Sequence, residues 1–368
     1  MDRRRLTAVG DGTIVFVTQL IDPDDPNLGF VVPLIEALAS RCDRLVVIAN
    51  EVRRVPSSLP CRVISLGKER GASRIRRGLR YQAALVRSSR GQRPVTVLAH
   101  MCPEYLNLAA PIARVLGLRT LLWYTHSSNT STLARADRLA DGIITALPGS
   151  YPRPGPKVRA IGHSIDVDRF AVTDPPTDQP RRLLALGRTS TSKGFIELIE
   201  AMAMARDAGA DLRLSIVGPS SNEAERHHRD ELEALVNALG LRTLVHIEPS
   251  VAPQHIPDLL SQATALVNLT DAGSADKVVF EAMAAGRPVI VRAAAFSELV
   301  AGAPLTLTCS GDPQSASERL VELAAATPDT LGATGRLLRA RVERAHSVDS
   351  WADAVVEVAA HLHQRSSA

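Results

Sequence analysis

The stretch LLALGRTSTSKGF, residues 183–195, sets a short apolar run against a helical pattern across a turn bracketed by two glycines. Leu183 to Leu186 have the length and composition of a buried strand, and a helix begins near Phe195. Glycine lets backbone come close to a phosphate, and the N-terminus of a new helix offers its positive end. Arg188 and Lys193 add two cations to the same turn. A diphosphate is the expected guest, with Gly187, Arg188 and Lys193 around it. A Walker loop is excluded, because it needs Gly-Lys-Ser/Thr after its spacer.

The same alternation of strand and helix extends in both directions. Downstream, strands are expected at Leu212 to Val217, Leu244 to Ile247, Ala265 to Leu269 and Pro288 to Val291. Upstream they are expected at Thr13 to Thr18, Leu45 to Ala49, Arg62 to Leu66, Val95 to Ala99, Thr120 to Tyr124 and Gly142 to Ala146. Helices such as Gly29 to Ser40, Ala72 to Ser88 and Leu106 to Leu116 lie between them. This is the pattern of parallel sheets covered by helices. The run AVTDPPTDQPRR at 171–182 breaks it and reads as a linker. The expected organisation is a Rossmann-like domain over 1–172 on the acceptor side, a linker over 173–181, a second Rossmann-like domain over 182–345 for a nucleotide donor, and a C-terminal helix over 346–368 that packs back toward the first domain. Ligands of such sheets bind at the carboxyl ends of the strands.

A second informative segment, GSADKVVFEAMAAGRPVI, occupies residues 273–290. A loop enters a helix that Asp276 or Ser274 can cap and that stops at Gly286. Lys277 stands in the first turn, where a cation opposes the helix dipole and an anion bound at that end would favour it. Glu281 is placed to accept hydrogen bonds from a ribose diol.

Together the two segments resemble glycosyltransferase family 4, the retaining nucleotide-sugar enzymes of the GT-B fold. Arg188 and Lys193 match that family's donor-phosphate cations. Glu281 matches the second Glu of its Glu-x7-Glu motif, which holds the nucleotide ribose. The first Glu of that motif is replaced by Gly273, so the resemblance implies that loop backbone, Asp276 and Lys277 take over its sugar contacts, as in family members with Ser-x-Asp-Lys. In the first half His100-Met101, Pro103-Glu104-Tyr105, Leu122 to His126 and Ile161 to Phe170 resemble one branch of the family. His126 matches a histidine near the reacting sugar. His100, Tyr105 and His126 are therefore acceptor-side candidates, with Arg188, Lys193 and His126 as catalytic candidates. Gly29, after the first strand, would let the following helix point at the donor phosphates.

The chain has 368 residues, 45% hydrophobic and 22% charged, enough for two domains of roughly 150 residues and unlike a disordered chain. The formal charge of +4 is spread thinly and aromatics are 3%, which disfavours a nucleic-acid partner. Cys42, Cys61, Cys102 and Cys309 have no metal-ligand or redox spacing and read as thiols of a reducing compartment. The Asp22-Pro-Asp24-Asp25 cluster reads as a turn rather than a metal site, so neither a metal nor another cofactor is expected. Arg3 to Arg5 precede no apolar run of signal-peptide length, and the expected location is the cytoplasm. Arg70, Arg74, Arg76, Arg77, Arg80 and Arg87 accompany Ile75, Leu79, Leu85 and Val86 around one helix, a candidate for peripheral contact with anionic lipid at the inner membrane face; its plainer reading is a solvated face. His227 and His228 read as exposed helix positions, and His163 as a turn residue.

Only four of the 43 basic residues are Lys, at 68, 157, 193 and 277. Two fall in the quoted segments; Lys68 in a turn and Lys157 at the start of a strand need no role. The resemblance implies a metal-independent, retaining transfer of a sugar from a UDP- or GDP-linked donor to a sugar or lipid-linked acceptor of a glycan precursor. A GT-B nucleotide-sugar epimerase and a non-catalytic nucleotide-sugar-binding relative are the alternatives. A nicotinamide oxidoreductase is disfavoured by the lack of Gly-x-Gly-x-x-Gly after the first strand.

Overall fold

The computed structural model describes residues 12–25, 28–90, 94–126, 128–270 and 275–364. The chain forms two compact units, one from the residues up to Asp166 together with those from Ala345 onward, the other Val167–Arg344.

The first unit is built on β1 (Thr13–Ile21), β2 (Arg44–Val52), β3 (Arg62–Ser65), β4 (Val95–His100), β5 (Arg119–Trp123), β6 (Gly142–Thr145) and β7 (Val158–Ala160). All pairings are parallel, in the order β3-β2-β1-β4-β5-β6-β7. Helices α1 (Val31–Ala39), α2 (Arg74–Ser88), α3 (Pro103–Leu116) and α4 (Ser131–Leu139) form the crossovers. Successive side chains of β1 go to opposite faces: Ile14 and Phe16 pack with Leu34 and Leu38 of α1, whereas Val15 and Val17 pack with Tyr81 and Leu85 of α2 and Ala109 of α3. Burial on both faces is why these strands read as unbroken apolar runs.

The second unit contains β8 (Arg181–Leu186), β9 (Leu212–Val217), β10 (Val245–Glu248), β11 (Ala265–Asn268) and β12 (Val289–Val291), again parallel, in the order β10-β9-β8-β11-β12. Its helices are α5 (Phe195–Asp207), α6 (Glu223–Ala238), α7 (Ile256–Gln262), α8 (Lys277–Ala284), α9 (Ser297–Val300), α10 (Pro313–Ala325) and α11 (Pro328–Ala345). The last helix, α12 (Val348–Gln364), returns to the first unit. Trp351 meets Trp123 edge to face at 5.6 Å, and Arg41 pairs with Asp349 at 2.8 Å and Asp353 at 2.5 Å.

The chain leaves the first unit at Asp166, ahead of the proline-rich stretch. Three arginines explain this: Arg287 donates to the Thr173 carbonyl at 2.9 Å, Arg336 pairs with Asp174 at 2.9 Å, and Arg339 donates to the Phe170 carbonyl at 2.9 Å. The first two residues of the expected linker, Thr173 and Asp174, are thereby held to the second unit.

Lys157, for which no role was expected, donates to the carbonyls of Asp137 and Ala140 (3.1 Å to the latter) and so caps the C-terminal end of α4 with a cation. Lys68 pairs with Glu51 at 2.8 Å. His227 is exposed as expected, but His228 is buried, because it lies on the same stripe of α6 as Leu232 and Val236. Leu85, expected on the Arg-rich face of α2, is buried too.

Strand order reverses between β1 and β4 in the first unit and between β8 and β11 in the second. At such a point adjacent crossovers diverge to opposite faces, leaving a crevice at the strands' carboxyl ends. The described residues that follow those strands are 22–25, 28–30 and 101–102 in the first unit, and 187–194, 269–270 and 275–276 in the second.

Candidate functional site

In the second unit the two quoted segments meet at the switch point. After β8 the chain makes a 3-10 turn, Thr191–Lys193, and Gly194 then takes the left-handed conformation, φ 67°, that starts α5. A Cβ on Gly194 would stand 2.7 Å from the Leu269 carbonyl oxygen, so glycine is what lets this turn lie on the end of β11. The close approach delivers the Lys193 ammonium to Asp276, Nζ to Oδ2 2.6 Å, with the Thr270 hydroxyl 3.5 Å from the same nitrogen. The same carboxylate oxygen accepts from Thr270 Oγ1 at 2.6 Å and Asn268 Nδ2 at 2.9 Å. Burial alone would raise the Asp276 pKa. The neighbouring ammonium and the two neutral donors outweigh it and lower the pKa to about 2.

Asp276 stands at the N-cap position of α8, but its side chain makes no capping bond. The carboxylate expected to cap the helix holds Lys193 instead. Ser274, the other capping candidate, and Gly273, the departure from the Glu-x7-Glu motif, lie outside the described residues. One turn into α8, Lys277 pairs with Glu281 at 3.0 Å.

Arg188 is directed elsewhere: its Nη1 lies 2.9 Å from Oε1 of Glu225, in the first turn of α6. Each cation of the site thus has a carboxylate beside it: Arg188 with Glu225, Lys193 with Asp276, Lys277 with Glu281. Among these partners Glu225, Thr270 and Asn268 were not anticipated. Glu225 was open to detection, since Asn222 followed three residues later by Glu is the spacing of a capping box.

In the first unit, Gly29 ends a tight loop in which a Cβ would meet the carbonyl oxygens of Pro23 at 2.6 Å and Asp25 at 2.8 Å. Within that loop the Asp24 amide donates to Asp22 and the Leu28 amide to Asp25, the turn geometry expected of the Asp cluster. Among the described residues no group of three or more His, Cys, Asp or Glu is placed to hold a metal.

His100 ends β4 and is 1% exposed, packed against Phe16 and Phe30, with Nδ1 3.3 Å from the Thr18 hydroxyl. Burial lowers its pKa to about 4, so the ring is neutral near pH 7. Next to it Met101 has φ 55°, a conformation rare outside glycine and one that clusters at functional sites. Bonds from its amide to the Trp123 carbonyl, 2.8 Å, and from the Thr125 amide to its sulfur, 3.4 Å, hold it there. Tyr105, in the first turn of α3, is half-buried against Tyr81. His126 follows β5 and is exposed; its Nδ1 accepts the Ser128 amide at 2.9 Å. That bond leaves the proton of a neutral ring on Nε2, so His126 presents a donor.

Two parallel α/β units of this construction are the GT-B architecture. Sucrose-phosphate synthase from Thermosynechococcus elongatus superposes with a TM-score of 0.72 over 96% of this chain and 100% of that one, at 17% identity. Residues 180–326, which hold every member of the second-unit site, match the family model described as Glycosyl transferases group 1. Mannosylfructose-phosphate synthase of Agrobacterium fabrum is 32% identical over 145 residues, covering 36% of this chain and 32% of that protein. GDP-mannose:cellobiosyl-diphosphopolyprenol alpha-mannosyltransferase of Xanthomonas campestris is 29% identical over 169 residues, 45% of this chain and 42% of that protein. The chain thus spans less than half the length of these curated relatives.

Proposed function

We propose that the protein is a retaining, metal-independent glycosyltransferase that moves a sugar from a UDP- or GDP-linked donor to a sugar or lipid-linked acceptor. The observation that carries this reading is the Lys193–Asp276 pair at the switch point of the second unit, inside the segment that matches the glycosyltransferase model. Sugar transfer builds negative charge on the departing nucleoside diphosphate. Donors fixed in advance where that charge appears stabilise the transition state without reorganising. Lys193 and Arg188 are fixed in this sense, since their carboxylate partners hold them before any donor arrives. Lys277 and the start of α8 add positive potential, and Glu281 takes the ribose. In this reading His126 orients sugar or acceptor through Nε2–H, and the leaving phosphate accepts the acceptor proton on the face it departs from, which retains configuration. No step calls for a divalent cation, because the ammonium and guanidinium groups take its charge-neutralising part.

Thermal melting with UDP-, GDP-, dTDP- and ADP-sugars tests the donor role, because a ligand of the native state raises the melting temperature by mass action. One base class is expected to raise it, and Glu281→Ala is expected to diminish that rise strongly. No shift with any donor overturns the reading; an unchanged shift in Glu281→Ala removes Glu281 from the ribose. Incubating the stabilising donor without acceptor separates an epimerase, which would form the isomeric donor sugar.

The lipid-linked acceptor is supported by the Xanthomonas relative, a mannosyltransferase named for a diphosphopolyprenol-linked acceptor, and by the surface of the first unit. On α2, Ile75 is 79% and Leu79 68% exposed, with Arg74 and Arg76 exposed beside them. Leu108 and Val115 of the neighbouring α3 are exposed as well. Among the described residues no helix is long and apolar enough to cross a bilayer. Apolar side chains framed by arginines suit the headgroup region of an anionic membrane. The protein is therefore expected to co-sediment with phosphatidylglycerol vesicles but not with phosphatidylcholine vesicles. Ile75→Ser with Leu79→Ser should release it. Equal partitioning to both vesicle types, or binding unaffected by the double substitution, would remove this surface from the proposal.

A further inference from the structure

We infer that Glu225 is the positioning residue that aims Arg188 at the diphosphate, an inference that rests on the donor-binding role proposed above. Glu225 is the third residue of α6, and its backbone amide donates to the N-cap Asn222 side chain at 2.9 Å. A glutamate at this position ordinarily closes a capping box by reaching back to an amide at the helix entrance. One of its oxygens does so: Oε2 accepts from the Ser221 amide at 2.7 Å. That bond suffices for the helix. The other oxygen, Oε1, is spent on Arg188, a residue 37 positions earlier in the chain.

The asymmetry of burial shows which partner fixes the other. Glu225 is 5% exposed, whereas the Arg188 side chain is 59% exposed. An ion pair with so exposed a cation contributes little to folding, while keeping a carboxylate charged inside the protein is costly. Stability alone would be served as well by a neutral acceptor at 225. What the carboxylate adds is direction. It binds one terminal nitrogen, and a guanidinium held at one corner keeps its remaining N–H groups for phosphate oxygens. The backbone is held in the same way: Thr189 Oγ1 donates to the Glu225 carbonyl at 2.9 Å and lies 2.7 Å from Ser220 Oγ. The loop after β8 is thus tied to the entrance of α6 through both Arg188 and Thr189.

Glu225→Gln separates the two jobs. Its amide oxygen can still accept the Ser221 N–H, but its NH₂ group then faces Arg188 and cannot accept from it. Calorimetry with UDP, GDP, dTDP and ADP on the full chain is the measurement. The diphosphate that binds the wild type is expected to bind Glu225→Gln about tenfold more weakly, the scale of one charge-assisted hydrogen bond. The melting temperature should stay within about 2 °C. In the Arg188→Ala background, Glu225→Gln should cause no further loss, since nothing remains to be aimed. A purely structural Glu225 would instead give losses that multiply in the double variant, and that result, or wild-type affinity in Glu225→Gln, overturns this inference alone. A wild-type chain that binds none of the four overturns the donor reading and this inference with it.

Discussion

Replacing Lys193 with alanine is expected to lower turnover at least about a hundredfold while leaving the fold intact, because removing one preorganised donor to a developing oxyanion costs about 3 to 4 kcal/mol. The side chain reaches its place along the backbone at Gly187. It lies against Gly187, where a methyl group would stand 3.0 Å from Cε, and ends on a carboxylate already bound by Thr270 and Asn268. Without the ammonium, Asp276 keeps those two neutral donors, which is why the fold should survive. Lys193→Arg is the more discriminating variant. A flat guanidinium carries the charge but not the shape of an ammonium at the end of a slender chain, so it too should be inactive. Steady-state turnover alongside thermal melting gives the result. Activity near wild type in Lys193→Ala would remove the residue from the chemistry. Activity in Lys193→Arg alone would show that the scarcity of lysine elsewhere in the chain says nothing about this site.

Much of this arrangement was legible in the sequence because both ends of the argument are local. Parallel strands buried on two faces announce themselves as apolar runs, and Gly187 to Gly194 carry the composition of a phosphate turn within a few positions. What stayed hidden depends on contacts between distant segments. Lys157 reads as the start of a strand, yet its ammonium caps a helix 17 to 20 residues away. Asp276 reads as a helix cap, yet the approach of Gly194 to Leu269 brings Lys193 within its reach and the carboxylate goes there. Glu225 follows Asn222 at capping-box spacing, and no local pattern says that one of its oxygens serves another loop. His228 is a different case. It shares the stripe of Leu232 and Val236 at four-residue intervals, so its burial follows from periodicity even though histidine is by type more often a surface residue.

Asp276→Asn is expected to cost about 2 kcal/mol of stability at pH 7, the free energy that corresponds to lowering a carboxylate pKa from 3.8 to about 2 on folding. The asparagine keeps the shape of the side chain, but it removes the charge opposite an ammonium whose side chain is only 16% exposed. The direction of the pH dependence follows from the depressed pKa. A group that holds its proton less tightly when folded contributes its full stability above the unfolded value of about 4, and loses it as the pH falls toward 2. Urea unfolding at pH 7, 5, 4 and 3 should therefore show a constant gap between wild type and Asp276→Asn down to about pH 4, and a shrinking gap below. A gap independent of pH would mean that packing, not the ion pair, is what the aspartate supplies. Turnover should fall about tenfold, less than for Lys193→Ala, because the ammonium is still present but no longer held in one place. The pairing of the two readouts is what assigns the residue: loss of both stability and turnover fits a carboxylate that acts by fixing Lys193, whereas loss of turnover with stability intact would put Asp276 on the donor itself.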